Sequence, residues 1–219
     1  VIEHFDTDAT REIMETNALG PYDLMRRVVP LLRLKGRGRI VNVSSVFGQM
    51  TIPGKAAYAA SKHALEAFSE TLWHELKPFG VGVTVIQPGF IHSDATLKVR
   101  ASPQARHAWE NPKDPYHRLY RDLSAMIAWG VEKATDDPES TAQAVLRAMR
   151  RRDPPLRIQT TGDATLLNAM SRFLPQSLFL GSMQAPMGLS WEAPHTENSP
   201  AASVAKAAPG GRPSAFRAA

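Results

Sequence analysis

Arg39-Ile-Val-Asn-Val-Ser-Ser45 is a short run rich in β-branched residues that ends in two serines. Residues of this kind favour strands, and the run follows a turn that contains Gly36 and Gly38. A second apolar run, Val81-Gly-Val-Thr-Val-Ile-Gln87, ends at Pro88-Gly89. With the helical pattern between them, the two runs have the spacing of a parallel strand-helix-strand crossover. The sequence therefore predicts an α/β fold with a parallel sheet, and ligands of such sheets bind beyond the carboxyl ends of the strands.

Helical patterns flank both strands. Apolar residues at three- and four-residue steps predict one long helix over residues 8–34, which Pro21 and Pro30 should kink or shorten. A second helix is predicted between Gly54 and Leu76, with an apolar stripe along one face. The two helices should cover the sheet.

The later part of the chain is less regular. Residues 91–136 are expected to form a long loop with one short helix over residues 116–129, and such insertions at a ligand edge are often lids. Asp137 and the proline after it begin a further helix. Its buried face is expected to contain Ala142, Val145, Leu146 and Met149. A last strand is predicted from Arg157, and Asp163 is expected to cap a last helix.

The composition is that of a globular protein. Of the 219 residues, 43% are hydrophobic and 21% are charged. Cysteine is absent from the sequence, which excludes disulfides and thiolate metal sites in these residues and favours a cytoplasmic protein. No apolar run reaches the roughly 18 residues of a membrane span. The first residues have neither an initiating Met nor a signal-peptide pattern, so we expect that the beginning of the chain is missing.

The basic charge is spread along the chain. The formal net charge is +5 and the isoelectric point is near 9.7, which raises the question of a nucleic-acid or anionic-membrane partner. The densest basic cluster falls in the last turns of a predicted helix, where cations complement the helix dipole. Its members are Arg147, Arg150, Arg151 and Arg152. Solvent-exposed faces are therefore favoured, and no nucleic-acid partner is expected.

Three residues have the chemistry of a proton-transfer site. Tyr58 and Lys62 are four residues apart near the start of the second predicted helix, so their side chains are neighbours on one face. A phenol has a pKa of about 10, and a nearby ammonium group favours the phenolate, which lowers that pKa. A tyrosine of this kind can exchange a proton with a carbonyl or an alcohol. Ser45 at the end of the preceding strand could bond the same substrate oxygen, and Ser44 is the local alternative.

These residues resemble the short-chain dehydrogenase/reductase family. Similar segments occur in family order and at family spacing between about Asp6 and Ser93. They are Glu15-Thr-Asn17-Ala-Leu-Gly20, Gly38-Arg-Ile-Val-Asn-Val-Ser-Ser45, Tyr58-Ala-Ala-Ser-Lys62 and Gln87-Pro-Gly89-Phe-Ile-His-Ser93. The resemblance implies an oxidoreductase that uses NADP or NAD to interconvert a secondary alcohol and a ketone or aldehyde.

The resemblance also implies a role for each site residue. Tyr58 would be the acid/base, and Ser45 rather than Ser44 would orient the substrate oxygen. Lys62 would lower the tyrosine pKa and bind the nicotinamide ribose. Asn17 would support a water-mediated proton relay to Lys62.

The implied cofactor contacts extend beyond Tyr58 and Lys62. The backbone from Pro88 and Gly89 to Ile91 would hold the nicotinamide carboxamide, and Ser93 would lie near the cofactor phosphates.

The resemblance covers only part of the family's fold. The family's glycine-rich phosphate-binding turn precedes the residues present, and no Gly-x-Gly-x-x-Gly or Gly-x-x-x-Gly-x-Gly occurs in the sequence. We therefore expect residues 1–190 to form an incomplete doubly wound parallel sheet, Rossmann-like, with the later strands and flanking helices only. The first strand would then have an open edge. Residues 191–219, rich in Pro, Ala, Ser and Gly, are expected to be a disordered tail.

Other interpretations remain open. The chain could be a noncatalytic fragment or scaffold, or a nonredox epimerase or dehydratase on the same fold. The segment that begins at Asp137 resembles steroid and retinol dehydrogenases, which implies a lipophilic alcohol or ketone substrate, and the family implies a homo-oligomer. The apolar stretch 173–191 is expected to close the core or contact a subunit, with a substrate pocket or a membrane as alternatives. His63 and His74 are too far apart to share a metal, and no metal site is expected.

Overall fold

The two apolar runs form the first two strands of a parallel sheet. They are β1, Gly38–Val43, and β2, Val81–Gln87. In the computed structural model, which describes residues 1–91, 101–134 and 136–185, β1 pairs in parallel with β2, and β2 pairs in parallel with β3, Arg157–Gln159. The order across the sheet is β1-β2-β3, so β1 has an open edge among the described residues. The predicted α/β fold with an incomplete parallel sheet is confirmed.

The α-helices of the described ranges precede, connect and follow these strands. They are Thr7–Met14 (α1), Gly20–Lys35 (α2), Ala56–Leu76 (α3), Pro103–Glu110 (α4), His117–Glu132 (α5), Pro138–Arg150 (α6), Gly162–Phe173 (α7) and Gln176–Gln184 (α8). No helix in the described part of the chain is long and apolar enough to cross a membrane.

The first long helix contains a π turn. Helices α1 and α2 are joined by the π turn Glu15–Leu19, in which the Gly20 N–H bonds to the Glu15 carbonyl, one residue further back than in an α-helix. Pro21 follows this wider turn in the first positions of α2, where a missing N–H is tolerated. The helix also continues through Pro30 to the end of α2. The prolines were expected to kink or shorten the helix, and neither of them shortens it.

Helices cover both faces of the sheet. On one face, α2 and α3 pack against β1 and β2 through a cluster that consists of Met25, Ile40, Leu65, Leu72, Leu76, Val81 and Val83. On the other face, Ala144 and Ala148 of α6 pack against Ile86. Side chains alternate along β2, so Val83 faces α3 while Ile86 faces α6. The sheet is therefore doubly wound in the part that the structure describes.

The buried face predicted for α6 is wrong. The helix buries Ala144 and Ala148, whereas Leu146 and Met149 are 41% and 55% exposed. Of the predicted residues, Ala142 is also exposed and only Val145 packs against the cluster. Small residues let the helix approach the sheet closely, and the isoleucines of β2 and β3 supply the bulk of the contact. A pattern based on large apolar residues alone selects the opposite face.

The region after β2 contains two described helices rather than one. The predicted short helix is present as α5, but α4 was not predicted. Helix α4 begins with Ser102, whose hydroxyl accepts from the Ala105 N–H, followed by Pro103 in the first turn. A capping serine followed by proline is a helix-start signal, and it was the available clue.

The predicted cap of α7 is also wrong. Thr161, not Asp163, is the N-cap, and its hydroxyl accepts from the Ala164 N–H at 3.3 Å. The Asp163 carboxylate instead accepts from the Phe90 N–H at 2.8 Å, beyond the end of β2. Asp163 thus joins α7 to the segment after β2 and does not cap its own helix.

Three helices gather around the segment that follows β1. Val46 packs with Ala164 of α7 and Phe179 of α8, and Ile52 packs with Leu123 of α5. Phe173, Leu174, Leu178 and Leu180 of the predicted apolar stretch are exposed. The rest of that stretch beyond residue 185, and the predicted tail 191–219, lie outside the described residues.

Candidate active site

The carboxyl end of β1 has one paired side and one open side. The Ser44 N–H donates to the Ile86 carbonyl at 2.8 Å, so the backbone of Ser44 faces β2. Successive strand residues point their backbone groups to opposite sides, so those of Val43 face the open edge. The Val43 carbonyl accepts a hydrogen bond from Lys62 Nζ at 3.0 Å. Lys62 therefore joins α3 to the open edge of the sheet.

Tyr58 and Lys62 lie in the first turns of α3, as predicted, and both are half-buried. Lys62 Nζ is 5.8 Å from the centre of the Tyr58 ring. The phenol is also in edge contact with the ring of Phe47, at 6.4 Å between centroids. The structure thus brings the predicted pair together, next to an aromatic side chain from the segment after β1.

Ser45 is the serine that reaches the phenol. It is buried, its hydroxyl accepts from the Phe47 N–H at 3.2 Å, and it lies 3.5 Å from the Pro88 carbonyl. A hydrogen bond between Ser45 and Tyr58 favours the phenolate. The Ser44 hydroxyl is buried without a hydrogen-bond partner in the described residues. The geometry therefore favours Ser45 over Ser44 as the partner of Tyr58.

Burial dominates the proton affinities of the pair. It raises the pKa of the Tyr58 phenol, and the hydrogen bond with Ser45 opposes that rise. Burial also lowers the pKa of the Lys62 ammonium, and the Glu66 carboxylate opposes that fall. The sequence interpretation expected Lys62 to lower the tyrosine pKa, whereas in the structure the pKa of Tyr58 is raised because desolvation outweighs the Ser45 hydrogen bond.

Asn17 lies in the π turn and contacts α3 through Ser61. Its side-chain amide donates to the Ser61 hydroxyl at 3.1 Å, and that hydroxyl donates to the Tyr58 carbonyl at 2.7 Å. The α-helical donor to the Asn17 carbonyl would be the N–H of residue 21, and Pro21 has none. The structure therefore places Asn17 beside α3 but shows no direct contact of its side chain with Lys62.

The segment after β2 is tied to the start of α7. The Gly89 N–H donates to the Thr161 hydroxyl at 3.0 Å, and the Phe90 N–H donates to the Asp163 carboxylate. A side chain at position 89 would collide with that carboxylate, which explains the glycine. Any contact of Gly89 with a cofactor therefore does not use its N–H. Thr161 and Asp163 support this segment and were not predicted as site residues.

A buried polar network beneath Lys62 was also missed. Glu66 follows Lys62 by one helical turn and is 4% exposed. Its carboxylate accepts from Gln87 Nε2 at 2.8 Å and from Arg157 Nε at 2.9 Å. The Gln87 oxygen accepts from Gln159 Nε2 at 2.6 Å. The network ties α3 to the ends of β2 and β3, and the four-residue step from Lys62 to Glu66 was the available signal.

An apolar wall borders the phenol on the side of α5. Phe47 touches both Tyr58 and Phe90 at ring distances of 6.4 and 6.5 Å. Phe47 also packs on the Ile52 and Leu123 cluster, together with Met126 and Ile127. A substrate oxygen at Tyr58 would therefore have carbon-rich surface beside it.

The polar groups near Tyr58 fit the nicotinamide ribose of a dinucleotide. The Lys62 ammonium has three donors and uses one on Val43, which leaves donors for ribose hydroxyls. Pro88 and Ile91 follow β2 at the same edge of the sheet. Ser93, predicted near the cofactor phosphates, lies outside the described residues.

Known proteins are similar to this chain in sequence. A family profile described as short chain dehydrogenase matches residues 1–104. The chain is 33% identical over 179 residues to dehydrogenase/reductase SDR family member 7B of Xenopus laevis, which covers 80% of this chain and 48% of that protein. It is 32% identical over 174 residues to 17-beta-hydroxysteroid dehydrogenase type 1 of Homo sapiens, with 80% and 50% covered. The chain spans about half the length of these curated relatives.

Solved structures share the fold. A short-chain dehydrogenase from Streptomyces avermitilis superposes with a TM-score of 0.62 at 28% identity, covering 86% of this chain and 65% of that one. A short chain dehydrogenase from Burkholderia cenocepacia, solved in complex with NADP, superposes with a TM-score of 0.59 at 23% identity, covering 84% and 61%.

Proposed function

The chain belongs to the short-chain dehydrogenase/reductase family, and from that premise we propose that it interconverts a secondary alcohol and a ketone or aldehyde with NAD or NADP. The observation that supports this most directly is the joint placement of Tyr58, Ser45 and Lys62 at the carboxyl end of β1. Ser45 comes from the segment after β1, whereas Tyr58 and Lys62 come from the first turns of α3.

Tyr58 is the proton donor in the proposed reduction. Its hydroxyl transfers a proton to the substrate oxygen, and in the reverse direction the phenolate accepts the proton of the alcohol. Ser45, bonded to the phenol and anchored by the Phe47 N–H, orients the substrate oxygen. The bound nicotinamide cofactor supplies or accepts the hydride, and Lys62, Tyr58 and the Pro88 to Ile91 backbone would hold it.

The proposed relay from Lys62 through Asn17 is supported by the π turn. Because Pro21 has no N–H, the Asn17 carbonyl lacks its α-helical donor and can accept from a water molecule instead. The Asn17 side chain, bonded to Ser61, fixes the turn against α3. The carbonyl rather than the amide is thus the group we assign to the relay.

Tyr58→Phe in the full-length protein tests the assignment. It should lower turnover by at least about 100-fold, because general acid catalysis contributes about that much or more. Turnover is followed by the absorbance of the reduced cofactor, and cofactor binding by its fluorescence should change little. Tyr22→Phe is the matched control, since Tyr22 is 44% exposed on α2. Retained turnover in Tyr58→Phe would exclude Tyr58 as the proton donor.

A noncatalytic fragment is the second candidate. It is favoured by the open edge of β1 and by the match to only about half of the curated relatives. Fluorescence titration of the 219-residue chain with NADH and NADPH separates the two, because micromolar binding would contradict the fragment interpretation. An epimerase or dehydratase would bind cofactor and show no net cofactor oxidation.

We propose that the substrate is lipophilic, because an apolar wall around Phe47 and Leu123 borders Tyr58. Helix α5, which supplies Leu123, is proposed to be the lid predicted from the sequence. The cytoplasmic location and the homo-oligomer stay predictions.

A further inference from the structure

Two lysines differ from the others in their burial. Lys55 and Lys62 are half-buried, whereas the remaining lysines of the described ranges are exposed, namely Lys35, Lys77, Lys113 and Lys133. Lys55 is the N-cap residue of α3, three residues before Tyr58, and Lys62 follows Tyr58 by four residues within the helix. Tyr58 therefore has a half-buried lysine before it and another after it in the first turns of α3.

The two ammonium groups differ in their partners among the described residues. Lys62 donates to the Val43 carbonyl and interacts with the Glu66 carboxylate. The ammonium of Lys55 has no hydrogen-bond or carboxylate partner within residues 1–91, 101–134 and 136–185. Burial lowers the pKa of Lys55, with no opposing charge to offset it. Lys55 also lies at the start of α3, where the helix dipole disfavours a cation and no side chain caps the helix.

The backbone of Lys55 is tied to the apolar wall. Its N–H donates to the Ile52 carbonyl at 3.3 Å, and the Ile52 side chain packs with Leu123 of α5. Gly54, the residue before Lys55, approaches Leu123 so closely that a Cβ there would collide with it. Lys62, in contrast, extends to the open edge of β1. The backbone of Lys55 is thus anchored beside the apolar wall, whereas the side chain of Lys62 is bonded at the open edge of β1.

We propose that Lys55 binds an anionic group of the substrate, so that the preferred substrate is an alcohol or ketone that bears a carboxylate a few bonds from the reacting carbon. This inference rests on the proposed function, since it requires the reacting oxygen at Tyr58. Lys55 is the N-cap of the helix and Tyr58 is in its first turn, so we expect a short separation between the reacting carbon and the carboxylate. The Ile52 and Leu123 wall takes the intervening carbons, and the carboxylate supplies the charge partner that Lys55 lacks.

Levulinate and methyl levulinate provide a matched substrate pair, because the ester keeps the ketone and the carbon chain but has a neutral methyl ester in place of the charged carboxylate. In the full-length protein, kcat/KM should be higher for levulinate. Lys55→Met should lower kcat/KM for levulinate by about 10- to 100-fold, the value of one charge-assisted hydrogen bond, and leave that for the ester nearly unchanged. Lys55→Arg should restore most of the loss. Lys77→Met, an exposed lysine at the other end of α3, is the control.

Two results would overturn the inference. One is an equal loss for acid and ester in Lys55→Met, and the other is a change in NADH or NADPH affinity without a change for levulinate. If neither ketone is turned over, binding of levulinate measured by ligand-observed NMR decides on Lys55, and the proposed function is judged separately by the Tyr58→Phe comparison. Weaker binding to Lys55→Met than to the unsubstituted protein supports the inference, and equal or absent binding contradicts it.

Discussion

At the scale of single residues, burial shifts the pKa values of Tyr58 and Lys62 in opposite directions. It raises that of the phenol and lowers that of the ammonium, because it penalises the charged form of each. The hydrogen bond with Ser45 works against this effect on Tyr58. In the cofactor-free protein the phenol is therefore protonated at neutral pH, which suits a proton donor.

Ser45→Ala should raise the pKa of Tyr58 further. The serine hydrogen bond favours the phenolate, so its loss leaves burial unopposed. Ultraviolet difference titration of the cofactor-free protein, with Tyr58→Phe subtracted as the blank, measures this pKa. We expect a midpoint above the usual tyrosine value of 10.0 in the unsubstituted protein and a higher one in Ser45→Ala. A lower midpoint in Ser45→Ala would contradict the hydrogen bond, and Ser44→Ala should shift it little.

Lys55→Met should stabilise the protein at neutral pH by about 0.3–1 kcal/mol, since it removes a desolvated cation from the start of α3. The folded-state pKa of Lys55 is lowered, so its unfavourable contribution is present at neutral pH and disappears as the pH rises towards the unfolded value of 10.5. Urea unfolding at several pH values should show the difference between the two proteins shrinking as the pH rises towards 10.5. Lys77→Met should show no such trend, and a constant difference for Lys55→Met would exclude a charge effect.

At the scale of elements, the Glu66 network joins α3 to two strands. Glu66 is almost fully buried, bonds to Gln87 at the end of β2 and pairs with Arg157 of β3. Glu70, one turn later, pairs with the same arginine at 2.5 Å but is 48% exposed. The two carboxylates share a partner and differ in burial, so they form a natural matched pair.

Glu66→Ala should cost about 3 kcal/mol of unfolding free energy, because it leaves Arg157 and Gln87 without their buried acceptor. Glu70→Ala should cost less than about 1 kcal/mol, since exposed ion pairs contribute little. Chemical denaturation of both variants measures the difference. Equal losses would show that the charge of Arg157 matters and the burial of its partner does not.

The sequence anticipated the elements better than the contacts between them. The ends of the strands and the positions of Tyr58 and Lys62 on α3 could be predicted from the sequence, because both depend on local residue patterns. The roles of Asp163 and Glu66 were not, because each acts on a residue distant in sequence, Phe90 and Arg157 respectively. The buried face of α6 was missed because Ala144 and Ala148 pack closely against the sheet. That close packing depends on the sheet residues opposite the helix, and the helix sequence alone does not indicate it.

At the scale of the whole molecule, the side of β1 that faces away from β2 has no strand partner among the described residues. Val43 at the end of this edge is 47% exposed. Helix α2, beside it in sequence, also exposes Leu24, Leu31 and Leu34. Open strand edges and exposed apolar faces both promote association, and they do so by different contacts.

Val43→Lys in the 219-residue polypeptide should weaken self-association, because a charged side chain on an edge strand opposes strand pairing. Sedimentation velocity over a range of protein concentrations measures the effect. Leu34→Lys, at a position that is 82% exposed on α2, provides the comparison. If only Leu34→Lys reduces association, the exposed face of α2 mediates self-association and the edge of β1 does not.

The π turn Glu15–Leu19 has one residue more than a regular α-helix needs over the same path. Thr16 is exposed, so a scan that replaces its side chain would find it dispensable. Deleting Thr16 is a different operation, because it would turn α1 by about 100° relative to α2. Here the count of residues, rather than the identity of one of them, directs Asn17 towards Ser61. A library of single-residue deletions would reveal a dependence at this turn that no library of substitutions can detect.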